Sequence, residues 1–332
     1  MTAWPITEGV FELGDLPVAR GGTIAGARIV WRAHGTLSPA RDNVVLYPCS
    51  YGAQHQDLEW AIGPESLLDP GRWFIVIPNM FSNGLSSGAA DTADYPAVVT
   101  YHDLVAAQAR LLREVWGIER LAAVYGFSMG GQQAYHWATR PGVERAIVVC
   151  GSARTSVHNR VFLSSLLRTL EAAPEHLGQG RFSAEPRPNL KAFGHIYAAW
   201  ALSQDFYRAG LHLTALGAPD LETFLRTDWE ERNYQRRAAN LYAQLKTWEA
   251  GDIAAGGDLA AALRAIEARV LLLPSTTDLY FRVADNEAEA EHLRHARLAP
   301  IQSIWGHRAG APSVIPEDFA FLRGEVRAWL DR

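Results

Sequence analysis

The chain has 332 residues, 48% hydrophobic and 20% charged, a composition that builds a sizeable core and excludes a disordered chain. Its net charge of −5 gives no electrostatic footing for nucleic acid or an anionic membrane, and no apolar run approaches bilayer-spanning length. Two cysteines, Cys49 and Cys150, are too few for a disulfide framework; both end apolar runs, so buried free thiols are expected. The opening MTAWPITEGVFELGD lacks the basic and apolar regions of a secretion signal, and the expectation is a soluble cytoplasmic protein.

Residues 11–13 and 29–35 read as opening strands separated by glycine-rich turns. The run 43–47 (NVVLY) is continuously apolar, as a buried parallel strand should be, and ends in Pro48-Cys49-Ser50-Tyr51-Gly52. The run 73–77 (WFIVI) is a second such strand, and the Gly-, Ser- and Asp-rich stretch 82–94 reads as a surface loop. Thr100 and Asp103 have capping-box spacing. They open a helix with Leu104, Ala107, Leu111, Leu112 and Val115 on one buried stripe, stopped by Gly117. The run 121–125 is a strand, then comes Gly126-Phe127-Ser128-Met129-Gly130, then a helical segment through Trp137. Residues 146–150 form the next strand, so strands and helices alternate as in a parallel sheet with right-handed crossovers.

From 152 to 267 strand-like runs vanish and aromatic-rich helical segments take over, which predicts one helical lid inserted into a core of residues 1–151 and 268–332. The sheet resumes at 270–273, followed by Pro274 to Asp278; a last strand is expected at 300–304, followed by Trp305-Gly306-His307. Residues 319–330 read as a closing amphipathic helix.

Strand, G-x-S-x-G and helix together form the nucleophile elbow of α/β-hydrolases. The turn holds serine in a strained conformation, and glycines two residues to either side remove side chains that would clash. Ser128 is therefore the expected nucleophile. A serine hydroxyl needs a base, and the base needs an acid to fix its tautomer. In this fold the chain order is Ser, Asp or Glu, His; Asp278 and His307 each follow a late strand and emerge at the edge that carries Ser128. His55, His102, His136 and His195 fit worse, since none follows a strand downstream of an acid, and Asp285 reads as a helix N-terminal charge. The backbone N–H groups of Met129 and Ser50 are the expected oxyanion donors. Cys49 has no base placed to activate it, and neither an H-x-x-x-H pair nor a CxxC suggests a metal. The fold class is α/β: an α/β-hydrolase fold, its mostly parallel sheet flanked by helices, with a helical lid insertion.

Along nearly its whole length the chain resembles the homoserine O-acetyltransferase family. The likeness runs through Ile62-Gly63-Pro64 with Leu68-Asp69, residues 74–79 and 95–100, Gly117 to Leu121, the elbow, Gly151-Ser152-Ala153, and Asp278 with Gly306-His307. The resemblance implies Ser128, Asp278 and His307 as triad, homodimers through lid helices, and a ping-pong acyl-enzyme route with acetyl-CoA as co-substrate. The chain departs from the family where homoserine is read. The family's carboxylate-binding Arg and the Tyr seven residues on fall on Phe193 and Trp200, and the acid that follows the catalytic His is Arg308. The R-F-D-x-N-S-Y segment is only partly kept, at residues 237–242.

A zwitterion needs paired charges in a desolvated pocket. The expectation is therefore an apolar pocket lined by Tyr51, Phe127, Phe193 and Trp200 with Arg308 beside it, unless Arg208, Arg236 or Arg237 replaces the missing Arg. The leading function is hydrolysis of a small-molecule, short-acyl ester without a cofactor. The alternative is acyl transfer from acetyl-CoA to a hydroxyl acceptor.

Overall fold

The computed structural model describes residues 4–331. β1 (Ile6–Pro17) and β2 (Thr23–His34) form a long antiparallel hairpin in which Ile6 faces His34 and Pro17 faces Thr23. Register shifts around Gly14 break the alternation of β1, so only its centre is readable as a strand from sequence. β3 (Val44–Leu46), β4 (Phe74–Pro78), β5 (Ala123–Phe127), β6 (Arg145–Val149), β7 (Arg269–Leu273) and β8 (Ala296–Leu298) complete one sheet in the order β1-β2-β4-β3-β5-β6-β7-β8. From β4 onward all pairings are parallel.

Side chains alternate between two buried cores, one on each face. Val45, Ile75, Tyr125, Ile147 and Leu271 point into one, and Val44, Val76, Val124, Val148 and Leu272 into the other. Burial on both faces is why these strands read as unbroken apolar runs.

α1 (Tyr101–Trp116) begins with the expected reciprocal box between Thr100 and Asp103 and ends at Gly117 in the left-handed conformation. Its stripe is buried except for Val115, which is 40% exposed in the last turn. α2 (Met129–Ala138) follows the elbow. Between β6 and β7 lies a helical insertion. It contains α3 (Val157–Glu171), α4 (Arg187–Ala201), α5 (Gln204–Arg208), α6 (Leu211–Thr214) and α7 (Leu221–Phe224). A π turn (Leu225–Glu230), α8 (Glu231–Tyr234), α9 (Ala238–Glu249) and α10 (Leu259–Arg264) complete it. α11 (Val283–Ala290) and α12 (Pro316–Leu330) belong to the resumed core. Among the described residues no helix is long and apolar enough to cross a membrane.

Two expectations are corrected. The last strand is Ala296–Leu298, and in the stretch 300–304 only Ile301 keeps a single bridge, to Ser275. Pro300 has no N–H to continue the ladder. The stretch 82–94 is not all surface, because Ser82, Asn83, Ser86 and Ser87 are buried. The hydroxyls of Ser86 and Ser87 accept the N–H groups of Val30 and Arg28, each at 3.0 Å. Polar side chains here stand in for a neighbouring strand.

The chain leaves β3 for β4 on one side and returns to β5 on the other. A crevice opens at such a switch point, at the C-terminal ends of the strands, where the 48–52 turn and the elbow lie.

Candidate active site

Ser128 occupies the turn between β5 and α2 with φ 58° and ψ −125°, a region that only a constrained side chain adopts. The glycine spacing has a steric cause. A Cβ on Gly126 would run into the Gly130 carbonyl, and one on Gly130 would lie 2.6 Å from the Pro48 carbonyl oxygen. Ser128 N–H donates to Val149 O at 2.9 Å, tying the elbow to the end of β6.

Asp278, in the turn after β7, is buried, and its Oδ2 lies 2.6 Å from His307 Nδ1. Its Oδ1 accepts the backbone N–H of Tyr280 at 2.7 Å and of Phe281 at 3.3 Å. The carboxylate is thus held in one orientation, and the bond to Nδ1 leaves Nε2 as the ring nitrogen free to take a proton. His307 is the second residue of a 3-10 turn (Gly306–Gly310) and is packed by Phe127, Tyr280 and Phe281 at ring-centroid distances of 4.6, 4.7 and 5.7 Å. Thr277 ties its loop down, with its hydroxyl donating to Ser303 O at 2.8 Å and accepting Gly306 N–H at 3.0 Å.

Ser128 and His307 line one cavity of about 310 Å³ together with Ser50, Tyr51 and Phe127. Ser50 Oγ donates to Phe127 O at 2.6 Å, so the 48–52 turn is fastened to the elbow. Met129 is the first residue of α2, whose opening N–H groups have no helical partner and lie at the positive end of the dipole. A larger groove of about 820 Å³, bordered by the Arg237–Glu185 ion pair, contains none of Ser128, Asp278 or His307.

From the insertion, the helix expected to present Phe193 and Trp200 presents Tyr197 and Ala201 to the cavity instead. Phe193 is fully buried and stacks on Tyr197 at 5.9 Å, while Trp200 packs on Phe162 and His158. Arg308 lines the cavity as expected, but so do Arg232, Arg236, Asp57 and Asp228. The expectation of an apolar pocket is therefore corrected. Burial, then the charge of Arg232, lowers the pKa of both Arg308 and Arg236. Arg236 donates to the Gly52 carbonyl. Sequence reasoning weighed Arg236 and missed Tyr197 and Arg232, because no periodicity reveals which turn of an insertion helix overhangs a cavity; it also missed Asp57, which lies in a 3-10 turn (His55–Ala61) of the core after β3.

The rival histidines are engaged elsewhere. His55 Nδ1 meets Asn79, His102 meets the Asp252 carbonyl, His136 meets the Gln132 carbonyl, and His195 meets Glu230. Asp285 sits in the first turn of α11. Among the described residues, the His, Cys, Asp and Glu atoms close enough to share a metal belong to Cys150, Asp278 and His307, within 4.8 Å of one another. Burial, with the Asp278 charge beside it, raises the Cys150 pKa well above the usual thiol value, so this thiol is no ready thiolate ligand. Cys49 is likewise buried, with its pKa raised by burial.

A strained serine at a strand-to-helix turn, an Asp–His pair on the later loops and a sheet of this order define the α/β hydrolase fold, and the chain matches that family over residues 44–302. It belongs to it. The chain is 33% identical to an ethyl acetate hydrolase of Pseudomonas veronii over 313 residues, 90% of this chain and 89% of that protein. The solved structure of an acetylester hydrolase from Corynebacterium glutamicum superposes with a TM-score of 0.88 at 32% identity, covering 97% of this chain and 96% of that one. A homoserine O-acetyltransferase of Leifsonia xyli is 30% identical over 354 residues, 95% of this chain and 87% of that protein. The resemblance to that transferase family, which runs alongside acetyl esterases, is thereby established.

Proposed function

We propose that the protein hydrolyses short-acyl carboxylic esters through an acyl-enzyme on Ser128. The observation that carries this reading is the buried Asp278–His307 pair at 2.6 Å, with His307 lining the cavity that Ser128 lines. Ser128 Oγ attacks the ester carbonyl while His307 takes its proton. The N–H groups of Ser50 and Met129 hold the oxyanion, and Asp278 fixes the tautomer and balances the imidazolium. His307 then protonates the leaving alcohol and, in the second half, activates water on the acyl-enzyme. Relatives that act as acetyl esterases support an acetyl-sized acyl group, and Tyr51, Phe127 and Arg308 are the proposed substrate contacts.

In this reading residues 152–267 act as a lid over a core of 1–151 and 268–332, in a cytoplasmic homodimer joined through lid helices. A second reading, acyl transfer from acetyl-CoA to a hydroxyl acceptor, is favoured by the transferase relative. One assay separates them: nitrophenyl acetate with and without homoserine plus acetyl-CoA, with Ser128→Ala as control. Hydrolysis that is lost in Ser128→Ala and indifferent to homoserine supports the esterase. Thiol release from acetyl-CoA only when homoserine is present overturns it.

A further inference from the structure

Gln133 is a buried amide on α2, one helical turn beyond Met129, where an apolar side chain would serve packing better. Its Nε2 donates to the Cys49 carbonyl at 2.9 Å and approaches the Met129 carbonyl at 3.5 Å. Its Oε1 accepts from Gln108 Nε2 at 2.7 Å, and Gln108 Oε1 in turn accepts the Trp137 indole N–H at 2.8 Å. Gln108, like Gln133, is fully buried, so the amide relay has no water with which to exchange partners and its direction is fixed. It runs from α1 across α2 and ends on one peptide group of the 48–52 turn.

That peptide joins Cys49 to Ser50. It is planar and trans, so holding its carbonyl toward Gln133 aims its N–H the opposite way. That N–H belongs to Ser50 and makes no hydrogen bond among the described residues. The Ser50 hydroxyl, bonded to Phe127 O, fastens the turn from the other side. Gln133 also rises from the helix that begins with Met129, the second donor.

We propose that Gln133 is a positioning residue that presets the oxyanion hole, fixing the Ser50 N–H relative to the Met129 N–H before substrate arrives. The inference rests on the serine-esterase reading. Removing the donor should weaken what is bound as a tetrahedral oxyanion and spare what is bound as a planar ground state, because a preset donor acts most where charge develops.

The test compares wild type, Gln133→Met, which keeps length and volume without the donor, and Gln108→Met, which frees the far end of the carboxamide. Each is measured for nitrophenyl acetate kinetics, for titratable serine, for affinity of a small alkyl boronic acid that forms a tetrahedral adduct, and for affinity of acetamide. Per titratable site, Gln133→Met should lose tenfold or more in kcat/KM and in boronate affinity by a similar factor, with acetamide affinity within twofold of wild type. Gln108→Met should show a smaller loss of the same kind, and carries the test alone if Gln133→Met does not fold. Unchanged boronate affinity per site in the folded variants overturns the inference, as does a parallel loss of boronate and acetamide. Absence of Ser128-dependent titration in wild type would instead remove the esterase reading, and the inference with it.

Discussion

Asp278 accepts two backbone N–H groups besides the imidazole, so replacing it with Asn should leave the loop in place while presenting the wrong group to Nδ1. We expect Asp278→Asn to lower kcat by about 10³- to 10⁴-fold with a nearly unchanged melting temperature, read by nitrophenyl acetate kinetics and thermal unfolding. Gly130→Ala tests the elbow differently. The added methyl would sit 2.6 Å from Pro48 O, so the turn carrying Ser50 must move. The expected cost is about 1–3 kcal/mol of stability, with a fall in kcat larger than unfolding at the assay temperature explains. At this scale the meeting of Asp278 with His307 at the cavity that Ser128 lines was legible from chain order and the elbow, although the strand expected just before His307 ends at Leu298; the glycines were legible because their role is steric. The cavity wall was not: Phe193 and Tyr197 share one helix, and only the packing of the insertion decides that Tyr197 faces the cavity that Ser128 lines.

Buried strands, the capped α1 and the elbow helix could be read from local pattern alone, since each has its own period and punctuation. What failed depended on partners far along the chain: β8 needed β7 to define its end, and the serines at 86 and 87 needed β2 to be seen as buried. α11 shows another such partnership. Its Glu289 accepts the Tyr135 hydroxyl at 2.7 Å, the Ala153 N–H at 2.8 Å and Asn286 Nδ2 at 2.9 Å, clamping α2 and the loop after β6. Burial raises its pKa from 4.5 to about 7 despite those donors. A carboxyl whose folded pKa is raised contributes stability that is complete below pH 4.5 and is lost as pH climbs through about 7. The loss is on the order of 3 kcal/mol for a shift of this size. Denaturant unfolding of wild type and Glu289→Gln from pH 5 to 8 should show a downward contribution in wild type that the variant lacks. Equal slopes would show that Glu289 does not titrate there.

The whole chain carries a net charge of −5, yet the cavity lined by Ser128 and His307 gathers Arg232, Arg236 and Arg308 against Asp57 and Asp228. Neither Arg232 nor Arg308 forms an ion pair among the described residues, although Arg308 is partly buried. A guanidinium partly withdrawn from water beside another of like charge is held at a cost that an anion in the cavity relieves. The global charge would repel an acidic ester weakly at long range, and within about 8 Å, the screening length at physiological salt, the local arginines dominate. An acetate ester whose alcohol part ends in a carboxylate should therefore be hydrolysed with a kcat/KM several-fold above that of its neutral amide counterpart. The ratio should shrink in Arg308→Gln and as salt rises toward 1 M. Equal rates for the charged and neutral esters at low salt would mean that Asp57 and Asp228 already neutralise the cavity, and that its charges hold the insertion in place instead of reading the substrate.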